Sequence, residues 1–222
     1  MKMRMLLLLL PMALLAAEKP AVKPAQPAPP QKNAVLEPIK DVDALLPADA
    51  DQRAHVLFVN VGKALSDAEF REAAAYVRMK YMLNVAVCAA PKPFAQEVVA
   101  DTAALKKRFG KNALIVVAIV KQEKSPSFIN VPGFFSQVNL RGLDKDNPEE
   151  LFLKKRTRQM FLKGLAHACG IGATIDNMCV MFCNSFTLEG MDRVSATFGP
   201  NAYFPIRELL RELGGEDIFV QW

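Results

Sequence analysis

The chain carries two imidazoles, His55 and His167, and four thiols, Cys88, Cys169, Cys179 and Cys183. These are the side chain types that bind zinc, and a hydrolytic zinc ion takes three protein ligands while leaving one position open for water. His167 sits in "KGLAHACG" (163–170), with Lys163 four residues earlier, one helical turn away on the same face. An ammonium at that spot opposes a divalent cation. The neighbour of Lys163 is Gly164, which offers no carboxylate as a general base. Cys169 lies two residues past His167, about 200° round a helix, so it points into the core rather than along that face. A Cys–His nucleophile is therefore disfavoured at this pair, with Cys183 left as a candidate thiol.

These residues need a helix to hold them. Asn147 suits an N-cap, Pro148 the first helical position, and Glu149 and Glu150 the positive end of the dipole. Gly170 supplies the stop. The pattern predicts one helix over 148–169. Upstream, "HVLFVNVG" (55–62), "NVAVCAA" (84–90) and "ALIVVAIVK" (113–121) read as buried strands. "SDAE" (66–69) has capping-box form and opens an amphipathic helix over 67–82, and a second helix falls within 94–109. An extended segment (127–140) is broken at Pro132–Gly133, and a last helix covers 203–213. Together these predict an α/β (α+β) fold, a mixed twisted sheet with helices packed on it.

The stretch from Lys163 to Ala202 resembles the archaemetzincin family of metzincin-fold zinc metallopeptidases. That signature reads HExxHxxGxxHC, four residues, CxM, seventeen residues, CxxC, and all forty positions fit without a gap. "CVMFCNSFTLEGMDR" and "FGPNA" are similar to the family's runs in those places. The resemblance implies a zincin helix ending at Gly170, a Met-turn with Met181 beneath His167, and a C-terminal helix. It also marks what has changed. His167 falls on the second ligand, but Lys163, Gly164 and Ala173 stand where the first ligand, the base and the third ligand would be. In the family's second, all-cysteine zinc site only Cys179 remains, with Thr174, Gly199 and Ala202 in place of the other thiolates. The expectation is that both zinc sites are lost and no cofactor is bound. His167 is then a hydrogen-bonded relic and Met181 a core residue. Because the spacing is intact, Lys163→His, Gly164→Glu and Ala173→His together would be expected to rebuild the site.

Charge and composition bound the rest. The chain has 222 residues and a formal net charge of +5, and removing Lys2 and Arg4 leaves +3. The densest basic run, "KKRTR" (154–158), reads as a solvated helix face, so nucleic acid is not an expected partner. "MKMRM" followed by "LLLLLPMALL" and "AA" forms a signal peptide over 1–17, too short to span a bilayer as a helix. The Pro/Ala-rich stretch 18–50 is a linker and 51–222 the metzincin-like domain. An exported protein is expected, membrane-tethered if the signal stays uncleaved. The four cysteines then permit disulfides in three connectivities, which sequence does not choose among. The leading functional expectation is an exported pseudopeptidase that binds an extended peptide or protein in the former substrate cleft. The alternative is a hydrolase with a rewired metal site built from His167 with Asp176, Cys179 or Cys183.

Overall fold

The run "AHVLFVNV" is apolar except at His55 and Asn60, and it forms a strand buried at every position, β1 (Ala54–Val61). Such a run suits a central parallel strand covered on both faces. The computed structural model describes residues 54–90, 113–123, 125–131, 133–146 and 148–213. The expected signal peptide, the linker and the helix within 94–109 lie outside these residues. Among the described residues four more strands join it in one sheet: β2 (Val85–Ala90), β3 (Ala113–Val120), β4 (Phe128–Val131) and β5 (Phe135–Asn139). The order is β2-β1-β3-β5-β4, parallel except for β4, which pairs antiparallel with β5. The segment expected to be extended and broken is thus a hairpin. Gly133 (φ 92°) and Phe134 (φ 61°) turn the chain there, and β4 becomes the edge strand.

The strands alternate as a twofold period requires. Val56 and Phe58 of β1 and Ile115, Val117 and Ile119 of β3 enter the main core, while Leu57, Val59, Val116 and Ala118 line the opposite face. Helix α1 (Asp67–Tyr81) starts with the expected capping box: Ser66 and Glu69 exchange bonds to each other's backbone N–H. It ends at Tyr81 because Met82 turns left-handed (φ 53°).

Helix α2 (Glu150–Ala168) is the central helix and packs on β3, β4, β5 and α1. It begins later than the Asn147–Pro148 signal indicated. Pro148 precedes the helix, and Glu149 takes the N-cap without a side-chain bond. The chain is still turning at Asp146 (φ 66°), so helical bonding starts after the proline. Gly170 ends it as expected, with φ 76°. A short 3-10 turn (Cys183–Phe186), α3 (Leu188–Arg193) and α4 (Pro200–Glu212) follow. The last helix starts before residue 203, since Pro200 occupies a first-turn position behind Gly199.

The basic run is not a solvated face. Lys154 is exposed, but Lys155, Arg156 and Arg158 are buried. Arg156 grips the Asp192 carboxylate with two nitrogens, at 2.8 and 2.6 Å, and the Leu143 carbonyl with a third at 2.7 Å. Lys155 donates to the Asp192 carbonyl at 2.6 Å, and Arg158 pairs with Glu72 and lies over the Tyr76 ring. These side chains are struts between α2 and its neighbours, Arg156 and Arg158 paired with carboxylates and Lys155 hydrogen-bonded to a carbonyl. No helix among the described residues is long and apolar enough to cross a membrane.

Candidate functional site

Lys163 and His167 lie one turn apart on α2 and both face the Phe186 ring. Lys163 is 1% exposed, the most deeply buried of the lysines on this helix. Its Nζ donates to the Ser185 carbonyl and sits 4.6 Å from the Phe186 centroid. Ser185 is itself fixed, its hydroxyl donating to the carbonyls of Val180 (2.6 Å) and Phe182 (2.7 Å). The amine thus ties α2 to the turn that follows Met181. Burial lowers its pKa from 10.5 to about 7.

His167 stacks on Phe128 of β4 with centroids 4.5 Å apart, and the Phe186 ring stands 6.1 Å away. Its Nε2 is buried and has no hydrogen-bond partner among the described residues. The expected hydrogen-bonded relic is instead an aromatic-stacked imidazole. Burial, and then the Lys163 charge, hold it below the usual imidazole range. The other imidazole, His55, is engaged in the core, where Nδ1 accepts from the Asn84 N–H at 2.9 Å.

Gly164 has a different task from its neighbours. Its carbonyl accepts from Ser136 Oγ at 2.7 Å, and an ideal Cβ would fall 2.5 Å from Val138 Cγ2 and 2.7 Å from Val117 Cγ1. The residue faces the sheet, and the helix seats there because no side chain intervenes. Ala173, past the helix stop, is exposed. Met181 lies in a turn, fully buried in the same core cluster as the inner face of α2.

A second group gathers at the start of α4. An ideal Cβ on Gly199 would fall 1.9 Å from Asp176 Oδ2 and 3.1 Å from Cys179 Cβ. The Thr174 hydroxyl accepts from the Asp176 N–H at 3.3 Å, and the buried Ala202 bonds back to the Gly199 carbonyl. Asp176 thereby places a carboxylate near the positive end of α4. All four cysteines are free thiols: Cys179 buried, Cys183 exposed, Cys88 and Cys169 between. Burial pushes the Cys169 thiol up to about 12, and it packs against the core as its helix angle indicated.

No protein-family profile matches the sequence, and no curated protein matches it. Solved structures do. An archaemetzincin from Methanopyrus kandleri aligns at a TM-score of 0.55 and 17% identity, over 73% of this chain and 98% of that one. A zinc-dependent peptidase from Methanocorpusculum labreanum aligns at 0.56 and 12% identity, over 68% of this chain and 100% of that one. The fold is archaemetzincin-like.

Within an archaemetzincin-like fold, zinc is the group to test against the residues present. The helix offers one imidazole, with an amine and two aromatic rings around it. The cluster at α4 offers one thiol, Cys179, and one carboxylate, Asp176. Among the described residues no group of three His, Cys, Asp or Glu side chains could hold a metal. The donor set does not fit zinc at either place, and the structure does not gather His167 with Asp176, Cys179 and Cys183 into a rewired site. The expected rebuilding through Gly164→Glu also needs correction, because position 164 faces packed valines.

Ser185, Phe128 and Phe186 were not legible as site residues. Each reaches α2 from a distant part of the chain, and none carries a local signal. Beside them lies a cavity of about 200 Å³ with Lys163 in its wall. A larger one, about 550 Å³, opens at the carboxyl ends of β1 and β3, where the lysines Lys121 and Lys154 pair with Asp144 and Glu150.

Proposed function

We propose that this chain is an exported binding protein on an archaemetzincin-like scaffold, without zinc or peptide hydrolysis. The observation that carries the reading is Lys163: a buried amine, bonded to the Ser185 carbonyl and covered by Phe186, stands one turn from the lone imidazole. An amine committed to the Ser185 carbonyl thus occupies the place where zinc chemistry would need a ligand, and Gly164 beside it has no room for a base.

Binding falls to the edge of the sheet. β4 is the last strand, so one row of its backbone groups has no strand partner among the described residues. An extended peptide can add there through backbone hydrogen bonds, which need no metal. The cationic, apolar start of the sequence supports export.

The test is elemental analysis of the purified protein together with a chelator-controlled peptide hydrolysis assay. No zinc and no cleavage are expected. Cleavage abolished by chelator would overturn the reading. For export, N-terminal sequencing should give a mature end near Glu18, and an intact Met1 on a cytoplasmic protein would refute it.

A further inference from the structure

The 200 Å³ cavity lies beside β4, between the end of β5, α2 and α3. Its lining includes Phe128, Met160, Phe186 and three basic side chains, Lys163, Arg141 and Lys145, and no acidic residue among the described residues. That volume is below the roughly 300 Å³ at which drug-sized sites begin, and it suits one side chain or chain end.

Three of the acidic residues nearby are already engaged. Asp144 bonds Lys121 at 3.2 Å, Asp192 is held by Arg156, and Glu189 pairs with Arg193. The cavity's own cations have only carbonyl partners or none. Lys163 donates to the Ser185 carbonyl and Arg141 to the Glu123 carbonyl, and none of the three has an ion-pair partner among the described residues. A buried amine that gives up hydration without a counter-charge is costly, and an arriving carboxylate offsets that cost. The two exposed cations at the mouth add attraction and orientation.

We propose that this cavity is a carboxylate pocket, taking an acidic side chain or the C-terminal carboxylate of a peptide laid along β4. This rests on the strand-addition reading above. Phe128 begins β4 and also lines the cavity, so a strand added to that edge passes its mouth.

The test uses the full chain and degenerate hexapeptide libraries with one position held as Glu, Gln or Leu, each made with a free and with an amidated C-terminus. Binding is read by fluorescence anisotropy. The pocket predicts that the Glu library or the free-acid library binds at least tenfold tighter than its neutral counterpart, and which one does identifies the source of the carboxylate. Arg141→Gln and Lys145→Gln, both on the surface, should each narrow that ratio, and Lys163→Met should remove it in a variant shown folded by circular dichroism. Equal binding of all libraries would overturn the pocket while leaving strand addition intact. No binding of any library would overturn both.

Discussion

Lys163 Nζ lies over the Phe186 ring and is bonded to the carbonyl of the residue before it, Ser185. One side chain of α2 therefore holds the 3-10 turn by both a hydrogen bond and a cation–π contact, the latter worth about 0.5–2 kcal/mol. The amine needs no metal to bridge these elements.

Its burial makes stability depend on pH. Lys163 titrates at about 7 in the folded chain instead of 10.5. From about 7 to about 9 the unfolded chain binds more protons at this site, so stability should rise with pH, by at most about 1.4 kcal/mol per unit. Above that the Cys169 thiol, held up to about 12 when folded, acts in the opposite direction. The neighbouring His167 is held below the usual imidazole range and titrates outside this window, and the other cations at the cavity are Arg141 and Lys145. Urea unfolding at several pH values should show the rise in the wild type and a flatter profile in Lys163→Met. Parallel profiles would mean that the amine is solvated.

Gly164→Ala should destabilise the protein. On an exposed helix face this change gains about 1 kcal/mol. Here the added carbon meets Val138 and Val117, and overpacking of this kind costs about 1–3 kcal/mol. Val138→Ala in the same chain should recover part of the loss, a coupling measurable in a double-mutant cycle. A Gly164→Ala variant more stable than wild type would show that the helix seats farther from the sheet.

Lys163→His with Ala173→His, leaving Gly164 in place, gives three imidazoles at metzincin spacing. This variant should take up zinc in an equilibrium dialysis experiment yet cleave no peptide. Its affinity should be low, since each missing partner that orients a ligand costs about 10–100-fold. A folded double variant that takes up no zinc would mean that the chain at residue 173 does not return toward α2.

Thiol labelling should separate the cysteines. Cys183 is exposed and should react first with a disulfide reagent in the native state. Cys179 is buried, and the Cys169 thiol is raised to about 12, so both should react only on unfolding. Native labelling of Cys169 as fast as Cys183 would contradict the packing.

The strands and the capping box were readable because each rests on a local pattern: continuous apolar runs for β1 and β3, and Ser66 with Glu69 for α1. The spacing of Lys163, His167 and Gly170 likewise placed the site on one helix and ended it correctly. What could not be read depends on residues far apart in the chain. "KKRTR" has the composition of a surface, yet Asp192 and Glu72 pull Arg156 and Arg158 inward. Gly164 looked like an empty base position until the valines of two strands appeared opposite it. The aromatic cover on His167 joins Phe128 and Phe186, which lie on either side of α2 in the chain.

The close seat of Gly164 also makes the order of mutations matter. A glutamate introduced there first meets Val138 and Val117 and is selected against for folding, whatever it offers chemically. Val138 or Val117 would have to shrink beforehand, and those changes alone leave a void with no benefit. Between this sequence and one with a glutamate at position 164 lies a fitness valley, crossed only by several substitutions arriving together.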